Sequence, residues 1–93
     1  MEAEIKWVWV FQGEKSRSCS AIFSDRSKAE IYIKKYALSG LLEKMPIDKS
    51  IYDWAIESEC FKPQKDYQSS AAFIQQFASS YLEHYHYEKG DPH

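Results

Sequence analysis

The stretch Ile5-Lys6-Trp7-Val8-Trp9-Val10-Phe11-Gln12 decides the architecture of this chain. In an extended backbone, successive side chains point to opposite faces. Ile5, Trp7, Trp9 and Phe11 then make one wholly apolar face, and Lys6, Val8, Val10 and Gln12 make the other. β-Branched and aromatic residues suit a pleated surface. Val8 and Val10 on the second face predict a strand inside a sheet rather than at its margin. The polar loop Gly13-Glu14-Lys15-Ser16 follows, and Ser18 to Phe23 returns as a second strand with Cys19, Ala21 and Phe23 on one face. So short a connection excludes a parallel crossover, so the pair is antiparallel.

Further along, Ser24 or Asp25 is a helix N-cap. Ala29, Tyr32, Ile33, Tyr36 and Ala37 recur at helical spacing and form one apolar stripe. Leu38-Ser39-Gly40 ends this helix, with Gly40 in the left-handed cap position. Leu41 to Ile47 reads as a third strand, with Leu41, Glu43, Met45 and Ile47 on one face and Leu42 and Pro46 on the other. Pro46 cannot donate to a ladder, so the strand is an edge or stops there. Ile51 to Glu59 fits a short helix, with strand as the alternative. Ser69 or Ser70 caps another helix, whose stripe is Phe73, Ile74, Phe77 and Tyr81. Leu82 to Glu88 alternates with period two, a strand signature with continuation of the helix as the alternative: Glu83, Tyr85 and Tyr87 face one way, and Leu82, His84, His86 and Glu88 the other.

The order β-β-α-β-α-α-β predicts an α+β fold, a single layer of about four mostly antiparallel strands with helices packed on one face. Trp7, Trp9, Phe11, Phe23, Ile33, Trp54, Phe73 and Phe77 are its expected core. Residues 1–93 make one domain, with 1–4 and 89–93 expected to fray. Hydrophobic residues are 44% and aromatics 16% of the chain, and the net charge is -2, a composition that folds.

The same numbers exclude several classes of function. Twelve Lys and Arg against fourteen Asp and Glu leave no basic excess for nucleic acid. No stretch is long and apolar enough for a membrane span, and no signal peptide is visible. Cys19 and Cys60 form no CxxC pair, and both read as free thiols in a reducing cytoplasm. The three glycines never take a phosphate-cradling spacing, so no cofactor is expected.

Several segments together resemble a family of small bacterial proteins known only as a domain of unknown function. They are Trp9-Val10-Phe11-Gln12-Gly13-Glu14, Phe23-Ser24-Asp25 with Ala29, and Leu38-Ser39-Gly40. Met45-Pro46-Ile47-Asp48, Tyr52-Asp53-Trp54-Ala55-Ile56, Phe61-Lys62-Pro63 and Glu83-His84-Tyr85-His86-Tyr87-Glu88 continue the likeness over almost the whole chain. The resemblance implies one domain and carries no activity, cofactor or partner. The chain departs from the family pattern at Glu59-Cys60, where that pattern has Gly.

His84 and His86 lie two apart on a predicted strand, so both imidazoles share a face with Glu88. Two imidazoles and a carboxylate are metal-ligand types. The plainer reading is a pair of exposed strand histidines with no metal bound. Asp53, between Tyr52 and Trp54, becomes a general base only if burial raises its pKa; otherwise it is an ordinary acid near a helix start. Neither cysteine has a basic neighbour to lower its pKa. No catalytic residue is assigned.

The favoured expectation is a protein-interaction or regulatory module, immunity-like in kind, whose partner is another protein. Seven Tyr exceed what so small a core can satisfy, because each buried hydroxyl needs a partner. Tyr and Trp suit interfaces. The candidate binding residues are Tyr52, Asp53, Tyr67, His84, Tyr85, His86 and Tyr87. The alternative is a small metal-dependent or acid–base enzyme built on His84, His86, Glu88 and Asp53.

Overall fold

A computed structural model describes residues 6–93. The expectations for residues 1–4, and for Ile5 as the opening residue of the first strand, fall outside the described residues. β1 (Trp7–Gly13) pairs with β2 (Ala21–Phe23) on one side and β3 (Gly40–Pro46) on the other. β4 (His84–Glu88) pairs with β3, and β5 (Asp91–Pro92) with β4. The result is a five-stranded sheet of order β2-β1-β3-β4-β5 with every neighbouring pair antiparallel. The α+β class read from the sequence is the class found.

Register fixes the two faces. Trp9 stands opposite Phe23 and Lys44, and Phe11 opposite Ala21 and Leu42. Leu42 stands opposite Tyr85, and Gly40 opposite Tyr87. These residues share the face covered by α1 (Arg26–Lys35), whose Ala29 and Ile33 are fully buried against Trp9, Phe11, Leu42 and Tyr87. Asp25 starts α1: its side chain accepts from the Lys28 N–H at 2.9 Å, and that bond holds its carboxyl below the usual range. The helix stops earlier than its apolar stripe. Ala37 takes the left-handed turn at φ 52°, and the Leu38 N–H donates to the Ile33 carbonyl at 2.9 Å. Tyr36 and Ala37 are therefore exposed. Gly40, expected as the cap, instead opens β3, where it lies against β1: a Cβ there would meet the Gln12 carbonyl oxygen at 2.3 Å.

Pro46 resolves its two readings, since β3 is an interior strand that ends there. α2 (Ile51–Glu57) is a helix, capped by the Ser50 hydroxyl accepting from the Asp53 N–H. The second predicted long helix is not formed. A 3-10 turn (Asp66–Ser69) leads into α3 (Ala71–Ile74), a single turn capped by Ser70. Serines downstream compete for backbone hydrogen bonds, and the Tyr81 N–H is taken by the Ser79 hydroxyl. Tyr81 and Ile74 are exposed.

The expected single core is divided. Phe61, Phe73 and Phe77 surround buried Tyr52 in a second aromatic cluster, with Phe61 and Phe77 centroids 4.9 Å apart. Trp54 meets Trp7 edge to face at 6.1 Å, linking α2 to the sheet. The tail also differs. Lys89 and Gly90 both take positive φ, 50° and 89°, which makes a two-residue hairpin between β4 and β5. The Gly90 N–H donates to the Leu38 carbonyl at 2.8 Å, so this hairpin is tied to the end of α1.

Candidate functional site: the helix-free face of the sheet

α1 covers one face of the sheet; the other carries Val8, Val10 and Gln12 from β1 and Leu41, Glu43 and Met45 from β3. Ile22 of β2 stands beside Val10, and His84 and His86 of β4 stand beside Glu43 and Leu41. Val8, Val10, Leu41 and Met45 are only half-buried, and Ile22 is 62% exposed. Antiparallel sheets with one solvated face ordinarily make that face polar. Here Val8, Val10, Leu41 and Met45 surround a centre that holds a single charge.

Glu43 occupies that centre. It lies between Val10 and His84 across the sheet, and between Leu41 and Met45 along its own strand. Burial pushes its carboxyl above the usual range, and a charged His84 would pull it back. Val10, Gln12, Leu41, Glu43 and Met45 line a shallow groove of about 250 Å³, with exposed Cys19 on its rim. Cys19 thus belongs to a loop rather than to β2, which begins only at Ala21. Gln12 and Leu41 also line a larger cleft of about 500 Å³ shared with Lys15, His86, Glu88 and His93. The two hollows share Gln12 and Leu41 in their lining.

The histidines stand on this face as the alternation predicts. The His84 ring is 5.7 Å from the His86 ring, and its Nδ1 lies 2.7 Å from the Leu82 carbonyl oxygen. That contact leaves Nε2 turned away from the backbone. Leu82 does not share the face, because it precedes β4 and is buried. Glu88 lies 3.8 Å from His93 Nδ1. Among the described residues, no group of three or more His, Cys, Asp or Glu is placed to hold a metal.

The remaining candidates are dispersed. Tyr85 and Tyr87 lie on the helix-covered face. Tyr87 is buried, and its hydroxyl donates to Glu30 Oε2 at 2.7 Å. Burial and that bond push its phenol up to about 12. Arg26 stacks 3.5 Å over the Tyr85 ring and lies 3.5 Å from Glu30 Oε2. Tyr85 donates to Glu83, which raises its pKa. Tyr52 is buried, with its hydroxyl on the Gln68 carbonyl at 2.8 Å. Asp53 is exposed on α2, and Tyr67 is exposed on the 3-10 turn. Sequence reasoning put Glu43 on the correct face but missed it as a site residue. Its signal was present: one charge inside the apolar alternation Leu41, Met45, Ile47.

Among the described residues, no helix is long and apolar enough to cross a membrane. No curated protein and no solved structure matches the chain. A family model described as a domain of unknown function (DUF7710) matches residues 8–93, from the second residue of β1 to beyond β5, and the chain belongs to that family.

Proposed function

We propose that this domain is a protein-interaction module that binds a partner protein through the helix-free face of its sheet. One observation carries the reading: among the described residues the helices pack on the opposite face, and Val8, Val10, Leu41 and Met45 stay half-buried and Ile22 exposed, grouped around a half-buried carboxylate. Contiguous apolar surface on a small domain marks interaction sites more often than it marks accident. Burying such side chains gains about 25 cal/mol for each Å² removed from water. Antiparallel geometry also presents them in rows, a regular surface for another chain.

The test is parallel affinity capture from the native lysate with the wild-type chain and with Met45→Lys, after matching their melting temperatures. A protein retained by the wild type and lost by Met45→Lys supports the reading. A protein retained equally by both moves the interaction to another surface. No retained protein counts against an interaction role.

A further inference from the structure

Glu43 is the feature of the face that a purely apolar contact would not want. A carboxylate closed under an apolar partner loses its water and gains nothing in return unless it is paired. Its cross-strand neighbours are Val10 and His84, and its neighbours along β3 on that face are Leu41 and Met45. The groove that holds it is lined along β3 from Leu41 to Met45, with Val10 and Gln12 of β1 beside them. Gln12 and Leu41 also line the cleft beside His86 and Lys15. A chain in extended conformation advances about 3.3 Å per residue, so the β3 span of this groove alone matches about five residues of a bound segment.

We infer that the occupant of this groove is a protein segment carrying one Lys or Arg flanked by apolar residues, with the cation seated on Glu43 and its neighbours on Val10, Leu41 and Met45. The inference rests on the interaction reading and adds the chemistry of the partner. Charge complementarity is its ground. A cation on an aliphatic stem satisfies the carboxylate and lays methylenes on the surrounding apolar surface, which a compact polar group cannot do. The raised proton affinity of Glu43 agrees, because it reports a carboxylate already short of solvation before any partner arrives.

A library of random nine-residue peptides displayed on phage, panned against the full chain, supplies the probe. The enriched sequences should share a Lys or Arg bracketed by apolar residues. A synthetic peptide of the enriched sequence should bind Glu43→Gln at least about tenfold more weakly than wild type, as close charge pairs at interfaces do. Replacing its cation with norleucine should cost as much on wild type and little more on Glu43→Gln, the non-additivity expected of two groups in contact. Glu43→Gln keeps the side-chain shape, and its near-ultraviolet circular dichroism checks the fold. Peptides that lose binding to Met45→Lys but not to Glu43→Gln would keep the docking face and overturn the cation. Peptides insensitive to both substitutions, or no enrichment, would overturn both readings. Sedimentation showing a dimer that Met45→Lys dissociates would make the occupant a second copy of this chain, and the cationic segment would fall.

Discussion

Replacing Tyr87 with Phe tests the other face of the sheet. Tyr87 is buried under α1, and its hydroxyl donates to Glu30 Oε2 at 2.7 Å. Arg26 shares that carboxylate from 3.5 Å while stacking on Tyr85. A hydrogen bond to a charged group contributes about 1.5–3 kcal/mol. The Glu30 side chain is 38% exposed and can recruit water once the phenol is gone, so the expected loss is about 1–2 kcal/mol. In a domain of this length each kcal/mol moves the melting temperature by about 4–8 °C. The pH dependence supplies a second signature. A phenol raised in the folded chain to about 12 holds its proton more tightly folded than unfolded. Its contribution is complete below about pH 10, the unfolded value, and is lost as pH rises toward the folded one. Linkage bounds that contribution at about 3 kcal/mol. Thermal unfolding of wild type and Tyr87→Phe, followed by circular dichroism from pH 8 to 11.5, should show a gap that narrows above about pH 10. Equal melting temperatures at pH 8, or a gap that stays constant to pH 11.5, would refute the reasoning.

Three further outcomes follow from the same packing. Gly40→Ala places a methyl 2.3 Å from the Gln12 carbonyl oxygen and 2.9 Å from the Phe11 ring; β1 and β3 must separate, and urea unfolding should show a loss above about 2 kcal/mol. Trp9→Ala empties a buried position of the main cluster and should cost about 3–5 kcal/mol by the same assay, much of the stability of so small a domain. The double variant His84→Gln, His86→Gln alters exposed side chains, so its melting temperature at neutral pH should match wild type, and elemental analysis of untagged wild type should find less than one metal per chain. Stoichiometric zinc lost together with stability in that variant would restore the metal reading.

The fold was legible where alternation or a cap acted locally. Trp7, Trp9 and Phe11 lie on one face, Val8 and Val10 on the other, and Asp25 caps α1. It failed where a partner outside the segment decides. Phe73 and Phe77 read as core, but which core depends on where the chain turns, and they close over Tyr52 rather than over Trp9. The Gly90 turn was mistaken for a loose end because the bond from its N–H to Leu38 crosses the sequence. Among the site residues, the shared face of His84 and His86 was local and legible. The places of Tyr85, Tyr87 and Tyr52 were not, because their hydroxyls bond to groups set by the tertiary fold and by adjacent sequence, Glu83, Glu30 and Gln68.

β4 shows how one short strand serves two ends. Its odd residues, Tyr85 and Tyr87, face α1 and join the Arg26–Glu30 network. Its even residues, His84 and His86, face away beside Glu43 and Leu41. Strand parity therefore separates the side chains that hold α1 from those on the open face. Tyr52, Phe61, Phe73 and Phe77 fold upon one another, while Val10, Leu41 and Met45 stay half-buried on the sheet. Each apolar Å² left in water forgoes about 25 cal/mol. Under the proposed interaction, the half-buried centre of the sheet is apolar area that association would still bury, and Glu43 is the group that would make that association selective.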